Sequence, residues 1–489
     1  PELEAEVGFS DLDRVTVLEP AGRNRFTVDQ GSVTAVEVAT DVVAVSLSDF
    51  QVPAEAQPAP QLNYQPPRII VADRPTRLML IDGPPARVPI EGTGLEFVVN
   101  TDWSVFHHPS SRIWYILDQD RWLENNMLSS GNWIATDNLP EEFLTLQVSS
   151  DWPEVAAAMP PRKPDQRPPP IVISYEPAEL VLVDGEMVFE AIGTGGLEYV
   201  SNTRSDLFRL GGRYYLLVSG RWFTTKNVGR KWYSVKSLPA PFAAIPEDHP
   251  RGRVLVSVPG TPAARLAMIE ASIPRTAVVS ISAGDGLEVP YVGEPSFVEI
   301  QGTSLRRGEN TPFQVIMHNN FYYLCHDGAW YSSSDPRGPW RTAQEVPEAI
   351  YTIPPTDPAF NVTYVRLASF DDSSGEAAYQ STSGYYSRYW TGSSMVYGTG
   401  WYYPGYYNRS VYWRYPYTYG YGYGAWGPYY YPYRYNYSAT FEVNRPEKDW
   451  QWDLNGNKRA VYDYGPSNYI GSGTYVMPRS DNYKGDGRQ

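Results

Sequence analysis

The chain repeats itself, and that limits its folding more than any other feature. Aligning Arg68-Ile69-Ile70-Val71 with Pro170-Ile171-Val172-Ile173 brings everything downstream into step. Pro75 meets Pro177, Asp82-Gly83 meets Asp184-Gly185, Leu95-Glu96-Phe97 meets Leu197-Glu198-Tyr199, and Asn100-Thr101 meets Asn202-Thr203, without a gap. A third copy enters at Gly293-Glu294-Pro295, where Ile300 answers Ile90 and Ile192, and Asn310-Thr311 supplies the third Asn-Thr pair. Beyond that pair come an aromatic doublet (Trp114-Tyr115, Tyr214-Tyr215, Tyr322-Tyr323) and two tryptophans per copy (Trp122 and Trp133, Trp222 and Trp232, Trp330 and Trp340). Each copy closes on an apolar-Pro pair: Leu139-Pro140, Leu238-Pro239, Val346-Pro347. Repeats of this length mark modules that stack on or beside one another.

Within a copy the apolar period is two. Leu180 to Val183, Tyr214 to Val218 and Arg221 to Thr224 read as short strands between turns at Asp184-Gly185 and Ser219-Gly220. Such dipeptides supply the positive φ of tight hairpins. With 40 Gly and 44 Pro in 489 residues, long helices are hard to write. The expectation is an all-β chain of three tandem repeats, each internally doubled. Six half-repeats of about 35 residues would close as a six-bladed β-propeller, or the copies would stand as three separate β-domains. Two short connector helices are expected: one capped by Asp151 with Pro153 in its first turn, one starting at Thr261-Pro262 and stopped by Pro274. Pro160 to Pro170 reads as a semi-rigid linker. The expected division is 1–60 N-terminal β segment, 61–160, 161–262 and 263–360 repeats, and 361–489 a Tyr/Gly/Pro-rich interaction region.

Net charge of -15 argues against a nucleic-acid partner, which needs clustered Lys and Arg. No stretch of about 18 apolar residues offers a transmembrane helix. Cys325 is the sole cysteine, excludes an intramolecular disulfide and reads as a small buried hydrophobe. A chain starting at Pro1 suggests that a secretory signal precedes it, hence export.

From Tyr385 to Tyr437 the sequence gathers about half of its 39 tyrosines, among Gly, Pro, Trp and Arg. A tyrosine ring makes contact at low entropic cost, and arginine stacks on it. Two outcomes are open: the tract folds back on its own chain, or it docks onto other subunits or a partner. The second names Tyr402, Tyr403, Tyr406, Tyr407, Arg409, Arg414, Tyr429, Tyr430, Tyr431 and Arg434 as contacts.

Catalytic chemistry is not written here. The five histidines lack metal-ligand spacing, and His107-His108 reads as a solvated hairpin pair. Gly422 to Gly427 spells G-x-G-x-x-G but lies in the tyrosine tract, with neither strand before nor helix after it. Asp371-Asp372 reads as a solvated turn, and Asp453 to Asn457 as a β-turn that lacks the distal Glu of a calcium loop. No catalytic residue, cofactor or metal is expected.

The blocks Pro177-Ala178-Glu179-Leu180-Val181-Leu182-Val183-Asp184-Gly185, Gly302-Thr303-Ser304-Leu305, Asn310-Thr311 and Gly338-Pro339-Trp340 resemble a family of Gram-negative exported proteins labelled carbohydrate-binding family V/XII. So do His249-Pro250-Arg251, Asn361 to Val365 and Gly398 to Pro404. The likeness runs from about Pro67 to Pro404. It implies export to the periplasm, outer surface or exterior, and a kinship to chitin-binding modules with surface aromatics. Two functions follow as expectations. One is a non-catalytic structural or assembly protein with homo-oligomer or envelope-protein partners. The other is a carbohydrate binder that stacks sugars on Trp122, Trp133, Trp222, Trp232, Trp330 and Trp340. A third, hydrolysis by loop carboxylates, has less to recommend it.

Overall fold

The computed structural model describes residues 61–118, 120–148, 152–162, 167–272, 274–391, 394–408 and 411–413, and the backbones of strands within 14–46 and 448–462. The chain is mostly β. Three six-stranded antiparallel sheets have their strands in simple chain order, so each is a meander. The first runs from Arg87–Pro89 to Ile134–Ala135, the second from Phe189–Ile192 to Tyr233–Ser234, the third from Phe297–Glu299 to Arg341–Thr342. Among the described residues no sheet closes on itself, and strands from both halves that the sequence pairs within a copy join one meander. A four-stranded sheet covers the strands from Arg14–Leu18 to Ala44–Ser46.

Both faces of a meander are covered, which is why its strands carry unbroken apolar runs such as Tyr115-Ile116-Leu117. On one face of the first, Phe97, Phe106, Tyr115 and Trp122 pack with Phe143, Trp152 and Val155 from the segment that follows the sheet. Phe143 meets Phe106, Tyr115 and Trp122 edge-on at 5.0–5.4 Å. In the second, Phe242 does the same to Phe208, Tyr215 and Trp222 at 5.0–5.5 Å. Ile350 is the buried residue at this place in the third. The apolar-Pro pairs set these plugs, because Phe143, Phe242 and Ile350 each donate their backbone N–H to the Pro carbonyl three residues back.

A short connector then docks on each sheet: Pro153–Ala157, Gly252–Ser257 and Phe360–Tyr364. Val155, Val254 and Val362, each third in its connector, are fully buried. The first repeat tryptophan of each copy donates its indole N–H to the backbone there: Trp122 to Ala158 (3.2 Å), Trp222 to Ser257 (2.8 Å), Trp330 to Val365 (2.9 Å). The first connector begins after Trp152 rather than on a capping Asp151, which lies outside the described residues; no side chain caps it, since Trp152 turns inward to the core. The helix Pro262–Ser272 begins as its sequence implies, the Thr261 hydroxyl accepting from Ala264 N–H at 3.1 Å. The helix Glu142–Gln147 has no counterpart in the sequence reading, because its single turn of periodicity is too short to stand out.

The Asn-Thr pairs also prove structural. Asn100 accepts from Ala86 N–H (2.7 Å) and donates to the carbonyls of Asp82 (2.9 Å) and Pro84 (2.8 Å). Asn202 binds Val188, Asp184 and Glu186, and Asn310 binds Ser296, Val292 and Glu294, in the same pattern. Each amide thus clamps the turn at Gly83, Gly185 or Gly293, whose φ of 78–83° only glycine adopts without strain.

The other face of the first two meanders is covered by strands exchanged between them. Arg68–Ala72 pairs in parallel with Ala178–Leu182, and Ile171–Ser174 pairs in parallel with Arg77–Leu80. The two registers are related by the sequence repeat, Ile69 standing opposite Glu179 as Ile171 stands opposite Arg77. The result is a pseudo-twofold clasp. Met79, Ile81 and Ile171 cover Val105, Ile116 and Leu123 of the first sheet; Val181, Val183 and Ile69 cover Leu207, Leu216 and Phe223 of the second. Arg77 has an ionic partner, Asp118, at 3.6 Å, where the second sheet has Val218 instead. Glu179 therefore sits in the clasp without that pairing, and burial pushes its carboxyl up from 4.5 to about 7. The third copy differs: its first strand, Arg275–Ser280, pairs antiparallel with Glu376–Ser381.

Two outcomes are expected. In urea titrations N100A and N310A, which strip three bonds from buried sites, lose about 2–4 kcal/mol, and the more exposed N202A loses less. For Glu179 the folded chain favours the protonated acid, so its contribution is greatest below about pH 4.5 and declines as pH rises through 7. The decline is at most roughly 3 kcal/mol. E179Q should flatten that part of the stability–pH curve; identical slopes for E179Q and the parent chain between pH 5 and 7.5 would rule it out.

Candidate interaction surface

The first part of the tyrosine-rich region is not a free tail. It touches all three copies, returning to the third at Tyr403 before it reaches the first. On the third, Tyr385 takes a hydrogen bond from Gly328 N–H (3.2 Å) on its hydroxyl and one from Asn361 (3.0 Å) on its carbonyl, and Tyr389 packs at 5.5 Å on Phe360 and on Tyr364. On the second, Ser257 donates to Met395 O at 3.2 Å and Tyr397 N–H to Ser219 O at 3.0 Å. On the first, Gly405 N–H donates to the Asp82 carboxylate and Tyr412 lies against the aromatic core. This strap runs from 383 to 413.

Arg221 fastens its middle. The guanidinium is buried and donates to the carbonyls of Asn63 (2.8 Å), Ser219 (3.1 Å), Tyr397 (2.7 Å) and Gly398 (2.7 Å), with the Tyr64 ring 5.2 Å away. A planar fan of five donors can gather several carbonyls at once, which no lysine can do. Asn63 in turn donates N–H to Thr399 O (2.8 Å) and its amide to Gly400 O (2.9 Å). At Gly400 a side chain would run into the Asn63 carbonyl, and φ is 74°. The Gly398-Thr399-Gly400 block thus marks a close backbone crossing. Leu62 from the same N-terminal segment enters the core of the third copy, so residues 61–64 and the strap knit the copies together.

The contact residues expected from sequence separate accordingly. Tyr403 is buried, its hydroxyl bonded to Pro355 O and Thr399, so its assignment as a partner contact is corrected: the ring is consumed in holding the strap. Tyr406 is half-buried in the hairpin Tyr406–Asn408/Val411–Trp413. Tyr402 and Tyr407 are 41% and 48% exposed. Arg409, Arg414, Tyr429, Tyr430, Tyr431 and Arg434 lie outside the described residues, as do the Gly422–Gly427 block and Asp453 to Asn457. The six tryptophans offered as sugar platforms are all buried, and that expectation too is corrected: they fill the cores of the sheets, and Trp122, Trp222 and Trp330 carry the connector bonds.

Three residues that the sequence reading passed over lie elsewhere. Trp114, Tyr214 and Tyr322, the first members of the aromatic doublets, occupy the same position on the fourth strand of each meander and are half-buried. The doublet is its own signal, since neighbours on a strand face opposite ways. His107 stacks on Trp114 at 4.4 Å and bonds Glu96 at 2.9 Å; His108 meets Ser111 (2.9 Å) and Glu142 (3.4 Å). The pair is therefore packed, not solvated. Arg209 lies 3.4 Å over the Phe189 ring and bonds Glu198 at 2.7 Å. Cys325 is buried and its thiol is pushed well up by desolvation, as befits an inert core residue. Asp371 is held below the usual carboxylate range by the hydroxyl and backbone of Ser373. Among the described residues no group of His, Cys, Asp or Glu is placed to hold a metal, and no helix is long and apolar enough to cross a membrane.

No protein-family model, curated protein or solved structure matches the chain.

The strap makes a sharp contrast testable by thermal unfolding and urea titration. Y403F should cost about 1–3 kcal/mol, since it leaves the half-buried Pro355 carbonyl without its donor. Y402A and Y407A should each change stability by no more than about 0.5 kcal/mol.

Proposed function

We propose that this is a non-catalytic, exported structural or assembly protein of the bacterial cell surface or periplasm, in which three tandem β-repeats form a scaffold that presents an aromatic surface for contacts with further copies or an envelope-protein partner. One observation carries the reading: the repeated aromatic, Asn-Thr and Gly residues are spent on internal packing, while the strap is fixed to all three copies and leaves Tyr402 and Tyr407 outward. A tyrosine patch on a fixed backbone loses little entropy on docking. The tyrosine-rich sequence continues from 414, adding Arg414, Tyr429 to Tyr431 and Arg434 as further contacts.

A second reading is sugar binding. It is favoured by the half-buried, equivalently placed Trp114, Tyr214 and Tyr322, since aromatic faces stack on sugar rings. One set of proteins separates the two: the full chain, Y402A/Y407A, a chain ending at 413, and W114A/Y214A/Y322A. Light scattering should show the full chain associating, with association weakened at least several-fold in the first two variants and unchanged in the third. A full chain that stays monomeric at every attainable concentration sinks the assembly reading. Retention on chitin, cellulose or peptidoglycan that only the triple variant loses would establish the sugar reading instead.

A further inference from the structure

Each connector sits on its sheet in the same way. The valine in its third position is buried, the indole N–H of the sheet reaches the carbonyl that follows, and the residue four before that carbonyl points at the first residue of the sheet's third strand. The buried valine and the indole bond recur at all three junctions, so they do little to tell one connector from another. The last contact differs every time. In the first copy Ser104 donates to Glu154 at 3.0 Å. In the second Arg253 donates to Asp206 at 2.7 Å, with Arg251 adding a bond at 3.3 Å. In the third Gln314 donates to Asn361 at 2.6 Å. The side chains are half-buried in the first pair and buried at Asp206, Arg251, Gln314 and Asn361, while Arg253 is exposed.

We infer that these three pairs are docking keys, each matching a connector to its own sheet and penalising its seating on either sibling. The mismatches have definite chemistry. Glu154 brought to the second sheet would set a second carboxylate against buried Asp206, which would have neither arginine. The second connector brought to the first sheet would bury Arg251 with no acid beside it, Ser104 standing where Asp206 was. Asn361 brought to the second sheet would deprive Asp206 of Arg253. A buried charge without its partner is strongly destabilising, whereas a matched pair is worth little by itself, so the pairs act more on choice than on strength. Arrays of similar modules fail characteristically by misassembly between modules, which gives the chain a use for such marks. The second and third keys are reinforced. Arg251 also donates to Val200 O (3.2 Å), Thr203 O and Arg204 O (3.0 Å), and Arg307 binds Asp357 at 3.1 Å.

Two five-fold variants of the full chain, both carrying R251A so that no buried guanidinium is left without Asp206, test the inference. In the uniform variant, S104Q/E154N/D206Q/R251A/R253N, all three copies carry the Gln–Asn pair. In the permuted variant, S104D/E154R/D206S/R251A/R253E, the first two pairs trade places and all three stay distinct. After dilution from denaturant, the permuted chain should regain native monomer at nearly the yield of R251A alone. The uniform chain should recover several-fold less, with a fraction in which amides of 153–158 and 252–257 exchange rapidly. Equal yields from the two variants, whether both high or both nil, would overturn the inference, because then distinctness of the pairs does not matter.

Discussion

A buried indole N–H is costly to leave without an acceptor, and meeting that cost at the first tryptophan of each copy shapes each junction in this protein. Net, such a bond adds only about 1 kcal/mol, but leaving it unmade costs about 1–3 kcal/mol. Trp122, Trp222 and Trp330 meet the requirement with a carbonyl from the segment that leaves their own sheet, so the exit path of the chain is set by the sheet it has just built. Once the path is set, Phe143 or Phe242 falls against the indole, the valine of the connector is buried, and the sheet has one face closed. The other face must then be closed by something else. For the first two copies that is the exchanged strand pair; for the third, Val289 and residues of the N-terminal segment enter the same core.

The strap depends on this arrangement and adds to it. Arg221 holds four carbonyls that belong to the N-terminal segment, its own hairpin and the strap, converting one long polar side chain into a tie between stretches far apart in sequence. Gly400 makes the tie possible by letting two backbones touch. The aromatic density that marks the region from Tyr385 onward thus has two uses in one stretch: Tyr385, Tyr389 and Tyr403 grip the scaffold, and Tyr402 and Tyr407 face away from it. The roles divide between neighbours, Tyr402 being exposed and Tyr403 buried.

How much of this was legible follows from what the sequence does and does not encode locally. Hairpins at Asp82-Gly83 and Asp184-Gly185, strands such as Tyr214 to Val218, the Thr261 cap and the interior place of Cys325 are set by near neighbours and could be read. The burial of the repeated tryptophans was anticipated in one sense: a position filled in every copy suits a core. Their hydrogen bonds to carbonyls some 35 residues on, by contrast, need the folded junction to be seen. The internal likeness of half-copies suggested separate blades, yet the strands run on into one sheet, because short turns such as Gly211-Gly212 favour pairing with the immediate neighbour. His107-His108 looked solvated because polarity was judged without Glu96, Trp114 and Glu142, which only tertiary structure delivers. Tyr402 and Tyr403 are indistinguishable as letters. The packing of Tyr403 under Pro355 separates them.

The clasp between the first two copies has a consequence for the order of events during synthesis. Arg68–Ala72 leaves the ribosome a whole copy ahead of its partner Ala178–Leu182, and Arg77–Leu80 likewise waits for Ile171–Ser174. Until the second copy emerges, the first meander has one uncovered face and two strands with open edges, the features on which nascent chains stick together. The first copy cannot finish alone, and severing the chain between the first two copies would yield two incomplete pieces rather than two domains. Protection of those edges in the interval falls to whatever binds extended segments in transit, and completion comes only when the third copy and the strap have followed.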